Sequence, residues 1–406
     1  MVIVGAGQAG GDLAADLREL GYGGAITLIG KETAYPYSRH PLSKAFLLGQ
    51  RAEDDLVTRA EETYRRFDVD VRLGVEVESI DRRSKMVALA DGDHLTYDTL
   101  VLATGGSPRQ LPQGTLETSP NVLSLRSVAH AKQLRVMLRP GQRLTVIGGG
   151  YIGLEVASAA RALGLEVAIV EQEERLLSRV TSQVTSSYFA RLHCEKGVAL
   201  HLGRSVTSSK HNGSGELAAL VLDDGTVVET DVCLIGIGIE PNVALAEDAG
   251  LEVADGVIVD SWFRTNDQAI FAIGDVARFP SSSGRSTHRL ESIPNSSAHA
   301  RALAHTLVGE SHPYDAVPWF WSDQYDVKFQ AVGLIRPDDT VVVRGDAQGG
   351  RGHSVFYLRQ GTVHAAEVFS CPRDFAIAKK LVAQRVTVDQ SNLADEATPL
   401  RALLGQ

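Results

Sequence analysis

Val2-Ile3-Val4-Gly5-Ala6-Gly7-Gln8-Ala9-Gly10 opens the chain, and Leu144-Thr145-Val146-Ile147-Gly148-Gly149-Gly150-Tyr151-Ile152-Gly153 repeats its pattern about 140 residues later. Each is an apolar run followed by G-x-G-x-x-G. The sequel is shared as well. After the first turn a helical stretch runs to Leu20, Gly21 stops it, Ile26–Ile29 reads as a second strand, and Glu32 follows. After the second turn the helix runs to about Leu163, Gly164 stops it, and the strand Val167–Val170 ends at Glu171. In this setting the first glycine permits a tight turn, the second lets backbone approach a pyrophosphate, and the third lets helix and strand pack closely. The helix start then offers unpaired N–H groups and a positive dipole end to phosphate. One such unit is weak evidence. Two in one chain imply two dinucleotides, a nicotinamide hydride carrier and a second redox dinucleotide, and so an NAD(P)H-dependent flavoprotein. The fold expected is α/β, with two Rossmann-like dinucleotide-binding domains.

Three further apolar runs end in small residues: Leu100 to Gly106, including Ala103, Thr104 and Gly105; Cys233 to Gly238, including Gly236; and Ala269 to Asp275, including Gly274. Strands of this kind end at the cofactor crevice of a doubly wound sheet. From about Pro318 the texture changes to period-two alternation, in Lys328–Gly333, Thr340–Arg344, Ser354–Leu358 and Val363–Glu367. A helical stretch near Asp374–Gln384 and a polar, loose tail complete a third, α+β domain.

Composition narrows the function. The 406 residues are 44% hydrophobic and 22% charged, which excludes a disordered or fibrous chain. A formal charge of −10 is a poor match for nucleic acid, where a basic footprint is required. Mean hydropathy is −0.04, and no run approaches the ~18 apolar residues of a membrane helix. The glycine turn begins directly after Val4 and leaves no room for a signal or transit peptide, so a cytoplasmic protein is expected. Cys194, Cys233 and Cys371 lie far apart, without a CxxC pair, and the histidines lack metal-ligand spacing. No metal is assigned.

GAGQAG at Gly5, Tyr37-Ser38-Arg39-His40-Pro41-Leu42-Ser43-Lys44, Ala103-Thr104-Gly105 and Gly148–Glu155 together carry a resemblance, continued by Gly236–Asn242, Ala272–Asp275 and Val317-Pro318-Trp319-Phe320-Trp321-Ser322-Asp323-Gln324. The chain resembles the FAD-dependent, NADH-utilising ferredoxin reductases that serve bacterial ring-hydroxylating dioxygenases and haem monooxygenases, a branch related to apoptosis-inducing factor. The resemblance implies an FAD domain from 1–109 and 236–317, an NADH domain at 110–235 and a C-terminal interface domain at 318–406. It implies FAD contacts from Gly5, Gly7, Ala9 and Gly10 to the pyrophosphate and from Glu32 to the ribose. Arg39, Lys44, Ala103, Thr104, Gly105, Arg126, Gly274 and Asp275 supply further contacts, as do Val77 and Ile293 through backbone. Gly148, Gly150, Tyr151, Ile152, Gly153, Glu171, Gly236 and Gly238 fall to the nicotinamide side. Departures stand at Lys31, where many relatives place an acid, at His40 for a proline, at Pro294, and at His299, where glutamine is frequent.

A few residues carry most of the chemistry. Glu171 accepts the ribose diol of NADH and repels the 2′-phosphate of NADPH, a clash on the order of several kcal/mol when desolvated; Arg175 nearby softens the preference. The resemblance gives Lys44 a place at the flavin's reactive edge, paired with Glu155. A fixed cation ~4 Å from a developing anion gains about 4 kcal/mol at an effective dielectric of 20. The bland readings are a surface lysine for Lys44 and a first-turn helix acid, complementing the dipole, for Glu155. Tyr151 either covers the flavin or packs, and packing is the safer reading for Trp321. The implied cycle passes a hydride from NADH to FAD and then single electrons to an acidic [2Fe–2S] ferredoxin. Residues 319–406 hold ten Lys/Arg and ten Asp/Glu, so the whole −10 lies in residues 1–318, a field that steers an acidic partner to the last domain. A mixed, solvated surface is the bland alternative. Rival activities are a quinone or dye reductase, and a redox-sensing NADH-binding protein akin to apoptosis-inducing factor. A disulfide reductase is disfavoured because Pro36–Gln50 contains no cysteine.

Overall fold

The computed structural model describes residues 1–116, 119–280, 287–310, 312–347 and 352–405; Arg351, one of the ten basic residues of the last segment, lies outside them. The chain forms two compact units.

The first unit comprises Met1–Ser38, Glu53–Ser107 and Ile239–Ala316. Its centre is a five-stranded sheet in the order Ile270–Ala272, Leu100–Leu102, Val2–Val4, Ile26–Gly30, Val69–Leu73. Every pairing is parallel. Strands in such a sheet are buried on both faces, which is why Val2–Val4 and Leu100–Leu102 are unbroken apolar runs rather than alternating ones. Helix Gln8–Glu19 packs along helix Ile293–Leu307, and Leu13, Leu17, Ala300 and Leu303 are fully buried between helices and sheet. A three-stranded antiparallel sheet, Val77–Asp81, Met86–Leu89 and His94–Thr96, flanks this core.

The second unit comprises Arg39–Ala52, Pro108–Gly238 and Val317–Gln406. It repeats the first topology: Val198–Leu202, Glu166–Glu171, Arg143–Ile147, Val232–Ile235 and Val122–Ser124 form a parallel sheet in that order. The strand before the glycine turn is again third of five. The segment read as a third domain packs within this unit. Its antiparallel sheet runs Trp319–Gln324, Val327–Gly333, Thr362–Phe369, His353–Arg359, Thr340–Arg344. Period two divides its side chains. Phe329, Ala331, Val355, Tyr357 and Phe369 join the core of the parallel-sheet layer with Leu154 and Phe189. Val332, Phe356, Leu358, Ala366 and Val368 meet helix Pro372–Ala383 through Phe375, Ala378 and Leu381. One sheet thus serves two cores.

One sequence expectation needs correction. The tail beyond Gln384 is ordered. Asp389 caps helix Gln390–Ala394, and Leu393, Leu400 and Leu403 are buried. Arg344 donates to the carbonyls of Leu393, Asp395, Glu396 and Thr398. Three widely spaced leucines among polar residues carry no visible periodicity, which is why the segment reads as loose. Trp319–Gln324 is a strand, its aromatic run placed at the sheet's edge. The stretch from Pro41 to Gly49 is a series of turns, closed by Lys44 N–H to Pro41 O, Phe46 N–H to Pro41 O and Leu48 N–H to Lys44 O. Its Leu47 is anchored in the second unit's core.

Candidate functional site

Two turns of the same construction dominate the chemistry. Gly5 has φ +115°, and a Cβ there would lie 2.2 Å from the Ala103 carbonyl oxygen. Gly148 has φ +106°, and its Cβ would lie 2.5 Å from the Gly236 oxygen. At both positions only glycine fits, on conformation and on space. Gly10 and Gly153 close helix onto strand, since Cβ atoms there would meet the oxygens of Gly5 and Gly148 at 2.0 and 2.4 Å. Gly7 and Gly150 are different. A Cβ at either meets nothing within 4 Å. Each is the N-cap of its helix, Gln8–Glu19 or Tyr151–Ala162, and no side chain caps either start. Open space beside unsatisfied N–H groups at a helix's positive end is what a pyrophosphate needs. Both cradles therefore fit a dinucleotide.

Of the residues expected around the first cradle, Gly274 and the Ala103–Gly105 strand end border its turn. Gly274 stands beside Ala9, where a Cβ would approach the Ala9 methyl to 3.0 Å. Thr104 donates to Asn242 O, and the Asn242 amide returns a bond to Thr104 O, both at 2.8 Å, which holds the Ala103–Gly105 strand end. Glu32 accepts a 2.6 Å bond from the Tyr37 hydroxyl. Asp275 accepts from Ser296 at 3.4 Å, and Ile293 begins the helix Ile293–Leu307. Val77 is buried at the start of its strand. The departures have local reasons. Lys31 pairs with Glu76 on the surface at 2.8 Å. Pro294 sits in the first helical turn, where its missing N–H costs nothing. Buried His299 accepts a hydrogen bond at Nδ1 from Gly274 N–H at 3.2 Å.

In the second cradle Glu171 faces the glycine turn. Its Oε2 accepts from Gly149 N–H at 2.6 Å and its Oε1 from Glu173 N–H at 2.8 Å. Arg175 points away, donating to Ser186 and to the carbonyls of Ser178 and Thr181. Ile152 is 47% exposed at the helix start, an unusual setting for a large apolar side chain. Tyr151 packs: its ring lies edge-on to Phe320 at 4.7 Å and near-parallel to Phe329 at 5.7 Å, and its hydroxyl is buried. Gly236 donates its N–H to Ile147 O, and Gly238 accepts from Arg109 N–H.

The same unit builds the ion pair expected from the resemblance. Lys44 Nζ lies 3.0 Å from Glu155 Oε1, with side-chain exposures of 15% and 4%. Burial, the largest influence, raises the Glu155 carboxyl above the ordinary range; Lys44, Ser322 and Ser43 pull it back. The two serines had no distinguishing signal in the sequence, one lying within the PLSK segment and the other within the tryptophan segment. Ser43 donates to Oε2 at 2.5 Å and Ser322 to Oε1 at 2.6 Å. Lys44 and Glu155 line a cleft with His40, Arg51, Asp323 and Tyr325. Burial first, then the Lys44 cation, lowers the His40 imidazole below its usual value. The Trp321 ring is tilted by 30° against Trp319 at 5.7 Å and meets the His40 ring edge-on at 5.3 Å. Arg39 donates to the Arg126 carbonyl at 2.7 Å. Among the described residues, no group of three or more His, Cys, Asp or Glu is arranged to hold a metal, and no helix is long and apolar enough to cross a membrane.

Known proteins match the whole of this arrangement. Residues 1–300 match the family model "Pyridine nucleotide-disulphide oxidoreductase" and residues 319–404 the model "Reductase C-terminal". Putidaredoxin reductase of Pseudomonas putida is 38% identical over 408 aligned residues, covering 100% of this chain and 96% of its own length. The ferredoxin–NAD(+) reductase component of the p-cumate 2,3-dioxygenase system of Pseudomonas putida is 40% identical, with 99% and 97% covered. The solved covalent putidaredoxin reductase–putidaredoxin complex superposes with a TM-score of 0.96, at 38% identity, over 100% of this chain and 97% of the other. With both glycine turns built and its length matched from end to end, the chain belongs to the pyridine nucleotide-disulphide oxidoreductases.

Proposed function

We propose that the chain is an NADH-dependent ferredoxin reductase, moving electrons from NADH to a small [2Fe–2S] ferredoxin that feeds an oxygenase. The family binds FAD and uses NAD(H), and the observation that carries the reading is two open, uncapped glycine cradles in one chain. The relatives named above are reductases of this kind along their full length. Bound FAD supplies the conversion between two-electron and one-electron chemistry; the protein supplies placement and charge.

This chain's residues then take definite roles. The Gly5–Gly10 turn, Glu32, Asp275 and the Ala103–Gly105 strand end hold FAD, with Arg39, Lys44, Arg126, Val77, Gly274, Ile293 and Trp321 as further contacts. The Gly148–Gly153 turn, with Tyr151 packed behind it, and Ile152, Gly236 and Gly238 hold NADH, and Glu171 sets the preference for it over NADPH. Lys44 supplies a positive charge that Glu155 keeps in place. The ferredoxin docks at the C-terminal segment. The three cysteines are free thiols, in keeping with a reducing, cytoplasmic setting. Anaerobic stopped-flow mixing tests the reading: NADH should bleach the flavin of the yellow protein, and an oxidised [2Fe–2S] ferredoxin should restore its colour. A colourless protein that cannot be reconstituted with FAD, or a flavin untouched by NADH, overturns it.

A further inference from the structure

Behind the Lys44–Glu155 pair the second unit carries a chain of hydrogen bonds that the proposed activity does not use. Ser322 Oγ donates to Glu155 Oε1 at 2.6 Å. Gln324 Nε2 donates to Ser322 Oγ at 3.2 Å. Gln324 Oε1 lies 2.8 Å from His193 Nε2. His193 Nδ1 lies 3.2 Å from the Tyr325 hydroxyl. Ser322, Gln324 and His193 are buried, at 0%, 1% and 0% exposure. Tyr325 is partly exposed in the cleft that Lys44 and Glu155 also line.

The proton positions follow from the acceptor end. A carboxylate only accepts, so Ser322 donates to it and spends a lone pair on the Gln324 amide. The Gln324 oxygen is then left to accept, which places the imidazole proton on Nε2 of His193. Nδ1 of a neutral imidazole in turn accepts the Tyr325 proton. Burial lowers the His193 pKa and keeps the ring neutral. Every O–H and N–H in the series points toward Glu155, and aligned bonds polarise one another in a low-dielectric interior.

We propose that Tyr325, His193, Gln324 and Ser322 are positioning residues that hold Glu155 ionised and aimed at Lys44, setting the pH range over which that pair carries its charges. The proposal rests on the reading of Lys44 and Glu155 as part of the reductase site. Hydrogen bonds to the charged form favour it, and loss of the series therefore lets the proton return to Glu155 at higher pH. The other groups facing Glu155 are Lys44 and Ser43 from the turns after Pro41 and Tyr151 from its own helix, and His40, Arg51 and Asp323 share the cleft that the pair lines. Lys196 and Arg161 lie near the outer end at Tyr325.

The test uses the flavin-loaded protein and two readouts. The first is the carboxylic-acid C=O band of Glu155 in infrared difference spectra across a pH series, assigned with Glu155→Gln. The second is the pH profile of flavin reduction by NADH. Ser322→Ala should move the Glu155 midpoint up by about one pH unit, and His193→Phe by roughly half that. His193→Gln, whose amide restores the donor to Gln324, should return it to the native value. Tyr325→Phe, at a partly exposed site, serves if His193→Phe fails to fold, and should shift the midpoint in the same direction. The kinetic profile should move in step, with KM for NADH within about twofold. An unmoved midpoint in Ser322→Ala and His193→Phe, or equal shifts in His193→Phe and His193→Gln, overturns the proposal. Failure of NADH to reduce the native flavin would instead overturn the reductase reading, while the infrared band still decides this one.

Discussion

His299 shows how one buried side chain ties the Gly274 loop to the core. Its Nδ1 accepts from Gly274 N–H, and its ring sits among Phe263, Phe279 and Tyr314 at centroid distances of 4.7, 4.6 and 4.8 Å. Burial, with a smaller push from His288, takes its pKa from 6.5 down to about 3. A depressed folded value means the native state binds fewer protons than the unfolded chain between those limits. The linked stability is present above about pH 6.5 and is lost as pH falls toward 3, an effect on the order of several kcal/mol in full. His299→Gln keeps an acceptor for Gly274 without a titrating group. Its melting temperature should fall less than the native protein's between pH 7 and pH 5; parallel curves would remove neutral-imidazole burial as the cause. Glu171 makes the second case at this scale. Its two oxygens already accept from Gly149 N–H in the turn and from Glu173 N–H just beyond its strand, yet its charge still faces the cradle. Glu171→Ser should lower kcat/KM for NADH about tenfold, ~1.4 kcal/mol, and raise the NADPH/NADH ratio in steady-state assays; an unchanged ratio assigns cofactor choice elsewhere.

Among the elements, the C-terminal antiparallel sheet is joined to the parallel-sheet layer by more than apolar contact. Glu367, fully buried, accepts from Thr181, Thr185 and Tyr357, each at 2.5 Å. Thr185 belongs to helix Gln183–Glu195 and Thr181 to the turn before it, whereas Tyr357 and Glu367 lie on adjacent strands of the sheet. One carboxylate thus clamps helix to sheet. Burial raises its pKa, and the three hydroxyls hold it down. Glu367→Ala leaves three buried hydroxyls without their common acceptor and opens a cavity. A loss of about 3 kcal/mol or more is expected in denaturant unfolding, with Glu367→Gln milder because its amide oxygen still accepts. A loss below 1 kcal/mol, the scale of a surface change, would show the clamp to be idle.

At the scale of the molecule the relevant quantity is charge. Residues 319–406 are neutral and residues 1–318 carry −10. Within the last segment Arg344 is committed to carbonyls of the tail, and Arg359 to Asp339 and the Leu334 carbonyl. Lys328, Arg336, Arg373, Lys380, Arg385 and Arg401 remain exposed. An acidic ferredoxin would be drawn to this segment and repelled elsewhere. Ferredoxin-dependent turnover should fall as salt rises from about 0.01 to 0.5 M, over which the Debye length shrinks from ~30 Å to a few ångströms, while turnover with a small neutral acceptor stays level. A ferredoxin rate flat in ionic strength removes the steering argument.

Local rules made much of this legible. The glycine turns, their strands and the helices behind them were readable because each requirement falls within about thirty residues: period-two or continuous apolar runs, a left-handed turn, a helix stop. The alternation in residues 328–367 marked the last sheet for the same reason. What joins distant residues was not. Ser322 and Gln324 fall within the tryptophan segment that carries the family resemblance, but nothing there or around His193 marks them as partners of one another, and a Glu at 367 in an apolar strand looks like a solvent-facing position. Their meaning comes from burial, which makes every unpaired polar group costly and so forces partners from 130 or 180 residues away to meet. The ordered tail likewise depends on Arg344 reaching across to its carbonyls. Short-range sterics and hydrophobic periodicity wrote the two nucleotide cradles into the sequence; the low dielectric of the folded interior decided which of its scattered polar side chains became a network.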